Sequence, residues 1–170
     1  MDKRKYKGRV VFQGNNVYDG SGLAAIFGDQ CSSASFLSTS KIIDVISLMP
    51  GCAGGQSDAP SAYIQANLYE GDEKGCIETW VIIPREEWQP SWAQQYSSPV
   101  VRLKLALYGH PDSGLFWERK CAASLKAVGF EPVPDWECTD THDKLGLVLS
   151  VYVDDFEMAG KKENPTKVGG

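Results

Sequence analysis

The chain has 170 residues, of which 42% are hydrophobic, and its formal net charge at pH 7 is −5. This length is sufficient for one domain with a hydrophobic core. No apolar run approaches the roughly 18 residues of a membrane-spanning helix, which excludes such a helix. Residues 1–12 are basic but lack the apolar stretch of a secretory signal peptide. We therefore expect an intracellular protein that is not secreted.

The cysteines indicate the same environment. The sequence contains Cys31, Cys52, Cys76, Cys121 and Cys138. Their odd number, their wide spacing and the lack of a Cys-x-x-Cys pair are typical of reduced thiols. Cys138 and His142 have a spacing that a zinc site can use, but no second ligand pair lies nearby. A zinc site therefore has little support.

Basic residues are concentrated at the start of the chain, although the whole chain is acidic. They are Lys3, Arg4, Lys5, Lys7 and Arg9. A solvated tail is the simplest explanation for such a group. A basic strand beside a metal-binding motif would also suit the binding of phosphate groups.

In chain order, the first half of the sequence predicts a strand over residues 9–12 and mostly loop over residues 17–38. A helix follows over residues 38–49, with a hydroxyl residue as its N-cap and a Pro-Gly pair after its end. Pro60 fits the first turn of a second helix. Asp58 is therefore expected where a strand passes into a helix.

The second half predicts a strand over residues 76–83, a loop with a short helix over 85–98, and a strand at the start of 100–108. A helix is expected over residues 115–128, and a brief strand over 136–138. Gly129 suits the position just after that helix. The expected apolar side of the helix comprises Leu115, Phe116, Ala122, Leu125 and Val128. His110 and His142 have turn-like neighbours and are expected to face solvent.

The most distinctive stretch is Leu145 to Gly160, LGLVLSVYVDDFEMAG. Its first apolar run is rich in β-branched residues, which favours a buried strand, and the whole stretch predicts a β-hairpin with Asp154 and Asp155 at the turn. Asp is a common turn residue, which explains the pair without any function. Two carboxylates on a bend anchored by hydrophobic strands also form an oxygen-rich site that suits Mg²⁺.

Tyr152-Val153-Asp154-Asp155 resembles the polymerase signature of reverse transcriptases. Other residues match the reverse transcriptase of copia-type retrotransposons in the same order: Tyr6-Lys7-Gly8-Arg9-Val10-Val11, Asp58 with Tyr63, Leu107-Tyr108-Gly109, Phe116-Trp117, Gly129-Phe130 and Ala159-Gly160. The similarity covers roughly residues 5–160, leaving residues 161–170 as a frayed tail. It implies an α+β fold, the fingers and palm of a right-hand polymerase, with a small antiparallel sheet that carries the hairpin and is backed by helices.

The resemblance implies an RNA-directed DNA polymerase in which Asp58, Asp154 and Asp155 hold two Mg²⁺ ions, or Mn²⁺ in their place. Such a metal pair, about 3.5–4 Å apart, activates the primer 3′-hydroxyl and stabilises the leaving pyrophosphate. No protein nucleophile is needed, and no convincing Ser/His or Cys/His arrangement is present in the sequence.

The same resemblance assigns substrate-binding roles. Tyr63 matches the aromatic residue that stacks under the nucleotide sugar, although ordinary helix packing explains it equally well. Lys7 and Arg9 correspond to residues that grip the triphosphate, and a basic edge strand is again an equal alternative. Tyr108 and Gly109 would line the floor under template and nucleotide, where Gly permits close approach of a backbone.

Two departures from the family are visible. Leu-Tyr-Gly is followed by His110-Pro111-Asp112-Ser113-Gly114 instead of Leu-Lys-Gln-Ala-Pro, and the Lys that normally follows the first Asp is absent. The expected partners are an RNA or DNA template with its primer and deoxynucleoside triphosphates, without a membrane. We expect the thumb and RNase H parts to belong to a longer polyprotein. The expected location of the protein is the cytoplasm, within a particle, or the nucleus.

Two alternatives remain open at this stage. One is a catalytically silent retroelement remnant that only binds nucleic acid through its basic start. The other is a small acidic α+β protein in which the Asp-Asp turn is purely structural. The distance between Asp58 and the hairpin turn separates the second alternative from the polymerase.

Overall fold

A computed structural model of the chain describes Gly8 and residues 10–27, 37–68 and 78–163. The helices are α1 (Leu37–Leu48), α2 (Trp92–Gln95) and α3 (Ser113–Ala127), with 3₁₀ helices at Ala62–Gln65 and Arg85–Glu87. The strands are β1 (Cys52–Asp58), β2 (Trp80–Ile82), β3 (Val100–Arg102), β4 (Glu131–Pro132), β5 (Thr139–His142), β6 (Leu147–Tyr152) and β7 (Asp155–Lys161). The fold is a mixed α+β arrangement with antiparallel sheets.

The main sheet has five strands in the order β1-β7-β6-β5-β4, and β2 pairs with β3 in a separate two-stranded sheet. The expected hairpin of β6 and β7 lies at the centre of the five-stranded sheet. Strand β1 is far from the hairpin in sequence but pairs along its whole length with β7. The turn between β6 and β7 therefore lies beside the end of β1.

The two faces of this sheet are covered by different helices. On one face, Leu147, Leu149 and Val151 of β6 form a buried core with Trp117 and Cys121 of α3. On the other face lies α1, whose Thr39 hydroxyl is hydrogen-bonded to that of Thr139 on β5 at 3.2 Å. Alternate residues of a strand point to opposite faces, so each strand serves both layers.

The long helices and the hairpin are confirmed. Helix α3 ends as expected: Gly129 has a φ of +98°, and the Phe130 amide donates to the Leu125 carbonyl at 3.0 Å. The predicted buried side of α3 is partly wrong. Trp117 and Cys121, four residues apart, face the sheet, whereas Ala122 and Val128 are exposed.

Other short elements differ from prediction. Val10 to Phe12 form no strand. The Phe12 amide donates a hydrogen bond to the Tyr108 carbonyl at 2.7 Å. The helix expected at Pro60 is a single 3₁₀ turn that begins after Ser61, whose φ of +57° lies outside the right-handed helical region. The strand expected over 136–138 is a loop, since Asp135 and Cys138 both have positive φ. Strands β4 and β5 were not predicted.

Of the described helices, none has both the length and the apolar character needed to cross a membrane.

Candidate active site

The three acidic residues singled out in the sequence lie together at one end of the main sheet. Asp58, the last residue of β1, pairs directly with Asp155, the first residue of β7. Asp155 in turn pairs with Tyr152 of β6. The Ala59 amide donates a hydrogen bond of 2.7 Å to the carbonyl of Asp154. The end of β1 and the hairpin turn are therefore bonded neighbours, although about a hundred residues separate them in the chain.

Directly opposed residues of antiparallel strands share one face of a sheet, with Cβ atoms about 4.5–5.5 Å apart. Asp58, Asp155 and Tyr152 therefore form a row on one face, the face that α1 covers further along the strands. Asp58 and Asp155 are both exposed at this end of the sheet. Their side chains therefore lie on the same face of the sheet and are open to solvent.

The turn between β6 and β7 has an unusual backbone. Val153 has a φ of +56°, and Asp154 is not among the residues with positive φ. A two-residue hairpin turn with positive φ only at its first central position matches type II′, which normally has glycine there. A β-branched residue costs roughly 1–2 kcal/mol in this conformation. Strained residues of this kind are concentrated at functional sites.

Two hydrogen bonds hold the strained turn in place. The Trp117 indole N–H donates to the Val153 carbonyl at 2.6 Å, and the Ala59 amide donates to the next carbonyl, that of Asp154. Trp117 is itself buried in the core under the sheet. Helix α3 on one side and the end of β1 on the other thus fix the direction in which Asp154 leaves the hairpin.

A cleft opens on the α1 face beside this row. Its acidic lining residues are Asp58, Asp155 and Glu157, and within the described part of the chain none of its lining residues is Lys or Arg. Glu157 accepts hydrogen bonds from the Ser40 hydroxyl at the start of α1 and from the Gln56 side chain. A concave surface that carries only negative charge attracts cations.

The donor chemistry of the cleft fits a hydrated Mg²⁺ better than a closed metal cage. Within residues 37–68, 78–163 and the short N-terminal part that the structure describes, no three His, Cys, Asp or Glu side chains converge on one metal position. Mg²⁺ commonly uses only one or two carboxylates and takes its remaining ligands from water and substrate phosphates. Asp58 and Asp155 supply such a pair. Cys138 and His142 gain no further zinc ligands in this region.

Tyr63 lies where the acidic turn meets the body of the protein. Its ring centroid is 4.6 Å from that of Tyr108, and it packs against both hydrophobic clusters of the fold. Burial raises the pKa of its hydroxyl, and nearby Tyr108, Asp154 and Tyr152 raise it further. Tyr63 is thus a packed residue that is also close to Asp154, so packing and nucleotide contact are compatible.

Gly109 permits a close backbone approach, and the approaching backbone is the chain's own N-terminal segment. Gly109 has a φ of +90°, and a Cβ on it would lie 2.1 Å from the Phe12 carbonyl oxygen. The Phe12 amide donates to the Tyr108 carbonyl at 2.7 Å. Lys7 and Arg9 lie outside the described residues. The segment that follows them is fixed beside Tyr63 and Gly109, where it lines a groove.

His110 does not face solvent as expected, since only 5% of it is exposed. Its Nδ1 accepts a hydrogen bond from the Asp112 amide at 3.1 Å, so the proton of the neutral ring is on Nε2, which donates to the Thr79 hydroxyl. Burial lowers the pKa of His110. His142 is half-buried, with its ring against Phe130. The turn that contains His110 folds back onto the core, whereas His142 is the last residue of β5 and not part of a turn.

Two contributors to this site were not identified from the sequence. Trp117 holds the turn, and its spacing of four from Cys121 was the available signal for a core-facing position. Glu157 lies two residues after Asp155 on β7, and the period of two along a strand places both on one face.

Comparisons of the chain with family models, curated proteins and solved structures find no match.

Proposed function

We propose that this chain is the fingers and palm region of an RNA-directed DNA polymerase of the copia retrotransposon type. The observation that carries the proposal is the direct pairing of Asp58 with Asp155 beside the strained Val153–Asp154 turn. The resemblance in sequence requires these remote carboxylates to meet. Had β1 paired elsewhere, the Asp-Asp turn would have been no more than a polar corner.

Asp58, Asp154 and Asp155 are the residues that would hold two Mg²⁺ ions, which when bound supply Lewis-acid activation of the primer hydroxyl and charge stabilisation at the leaving pyrophosphate. The chain's own contribution is to fix these carboxylates in position before substrate arrives. Two backbone hydrogen bonds and the packed Trp117 restrain the turn. Sites held within a fraction of an ångström by such supporting contacts are the ones that catalyse well.

The surroundings suit the expected substrates. Asp154 is close enough to Tyr63 to raise the pKa of its hydroxyl, which supports a contact between Tyr63 and the sugar of the incoming nucleotide. The segment that follows Lys7 and Arg9 docks at Tyr108 through the Phe12 amide. By the resemblance, Lys7 and Arg9 would bind the triphosphate. Tyr152 is 55% exposed on the carboxylate face, which leaves room for primer and template there.

The direct test is primer extension on poly(rA)/oligo(dT) in Mg²⁺ and, separately, in Mn²⁺. We expect incorporation by the wild-type chain and a loss of about 100-fold or more in Asp154→Asn and Asp58→Asn, because metal-ligand contacts contribute several kcal/mol to the transition state. Asp143→Asn is the matched control, since Asp143 is exposed in the turn at the opposite end of β6. Absence of incorporation by the folded chain refutes the polymerase.

A second measurement separates the alternatives without relying on turnover. Mn²⁺ added to ¹⁵N-labelled protein should broaden the amide signals of Asp58 and Asp155 before those of Asp143. Broadening without incorporation would favour a silent remnant that keeps its metal site. Equal broadening at all three positions would favour a purely structural Asp-Asp turn.

A further inference from the structure

A second cavity lies on the opposite face of the main sheet, between α3 and strands β5 and β6. Its volume is about 170 Å³, and its walls are mainly apolar, including Trp117, Cys121, Leu125, Trp136 and Val151. An apolar protein cavity of about 150 Å³ can hold a benzene molecule. This space therefore matches one aromatic ring with a short substituent.

Two carboxyl groups line the same cavity. They belong to Glu118 of α3 and Asp140 of β5, and the lining residues that the structure describes include no Lys, Arg or His. The Oε2 atom of Glu118 is buried and has no hydrogen-bond partner among the residues that the structure describes. A buried polar atom without a partner costs free energy that a ligand can recover by bonding to it.

The electrostatics of this pair favour a cation. Burial raises the pKa of Glu118, and the nearby Glu137 raises it further. Burial likewise raises the pKa of Asp140, with a smaller contribution from Glu131. Both charged neighbours, Glu137 and Glu131, are acidic. Cys121 also lines this space, and burial raises the pKa of its thiol to about 11, so the thiol stays neutral near pH 7.5.

We propose that this cavity binds a small organic cation, a single aromatic ring that carries a protonated amine on a short chain. The ring would lie among the apolar walls formed by α3 and β6, and the ammonium group would donate hydrogen bonds to Glu118 and Asp140. Charge-assisted hydrogen bonds of this type are about twice as strong as neutral ones. Trp136 at the edge of the cavity adds an aromatic face that attracts cations.

The site is separate from the carboxylate cleft, and binding there requires no polymerase activity. Val153 also lines the cavity, so its amide reports on occupancy. The test is an NMR titration of the ¹⁵N-labelled chain at pH 7.5 with 2-phenylethylamine, with the neutral isostere 2-phenylethanol, and with the anion 3-phenylpropanoate. We expect shifts confined to cavity residues and an affinity for the amine at least about tenfold above that for the alcohol.

Glu118→Gln should lower the amine affinity to about that of the alcohol while the alcohol affinity stays unchanged. Asp143→Asn, far from the cavity at an exposed turn, should change neither. Equal affinities for amine and alcohol in the wild-type chain, or no cavity shifts with millimolar amine, would overturn the proposal. Because the ligand series uses the wild-type chain, the result does not depend on the folding of a variant.

Discussion

Gly109→Ala should release the N-terminal segment from the body of the protein. At this position the backbone has a φ of +90°, and the added methyl carbon would lie 2.1 Å from the Phe12 carbonyl oxygen. Neither atom belongs to a flexible side chain, so the overlap can be relieved only by moving backbone. The movement available with least disruption is separation of the Phe12 segment from Tyr108 and Gly109.

The size of the effect follows from the contacts that would be lost. The left-handed φ costs an alanine roughly 1–2 kcal/mol. Loss of the Phe12–Tyr108 hydrogen bond adds about 0.5–1.5 kcal/mol, and exposure of the Phe12 ring, now packed 5.0 Å from the His110 ring, adds up to about 1.5 kcal/mol. We therefore expect a destabilisation of about 1.5–5 kcal/mol. The destabilisation is limited to these contributions, because the steric overlap disappears once the Phe12 segment has separated.

Gly51→Ala is the matched control, because Gly51 has a φ of +79° but no atom lies within 4 Å of an added Cβ. It should lose only the roughly 1–2 kcal/mol due to φ. Urea unfolding measures both variants, and hydrogen exchange of the Phe12 amide measures separation directly. If Gly109→Ala is no less stable than Gly51→Ala and the Phe12 amide stays protected, the argument from backbone contact is wrong.

Trp117→Phe removes the donor to the Val153 carbonyl and should destabilise the chain by about 2 kcal/mol, with faster amide exchange at the turn. Trp80→Phe, on an exposed strand, is the control. Equal urea midpoints for the two variants would contradict the role assigned to Trp117. His110 has a lowered pKa, so its contribution to stability is present above its ordinary pKa of 6.5 and is lost as the pH falls through the folded-state pKa. Urea unfolding at pH 7.5 and 5.5 should therefore show a smaller pH effect in His110→Gln than in wild type, and an unchanged effect would refute this. Glu118 has a raised pKa, so its contribution is present below its ordinary value of 4.5 and is lost as the pH rises through the folded-state pKa. Glu118→Gln should consequently raise the melting temperature at pH 7.5 and leave it nearly unchanged near pH 4; a lower melting temperature at pH 7.5 would show that this carboxylate stabilises the fold.

Prediction from sequence succeeded where a local signal is strong. Helix α1 ends before a Pro-Gly pair, α3 ends at a glycine with positive φ, and the hairpin has two apolar runs around an acidic turn. The predicted hydroxyl N-cap of α1 is wrong, because the helix begins at Leu37 and its hydroxyl residues lie inside it. Prediction failed where the backbone conformation of one residue decides the outcome. Ser61 at positive φ shortens the predicted helix after Pro60 to a 3₁₀ turn, and Cys138 at positive φ delays β5 until Thr139. Nothing in the side chain of Ser or Cys signals this conformation.

The candidate site shows the same division. Side-chain period and turn composition are local properties, so they were enough to predict a hydrophobic hairpin with two adjacent carboxylates and to place Asp58 at the end of a strand. The pairing of β1 with β7, the position of Asp58 opposite Asp155 and the bond from Trp117 to the Val153 carbonyl became visible only in the folded chain. Strand order and register depend on which distant apolar faces can be buried together, and that choice is made by the whole core and not by any one segment.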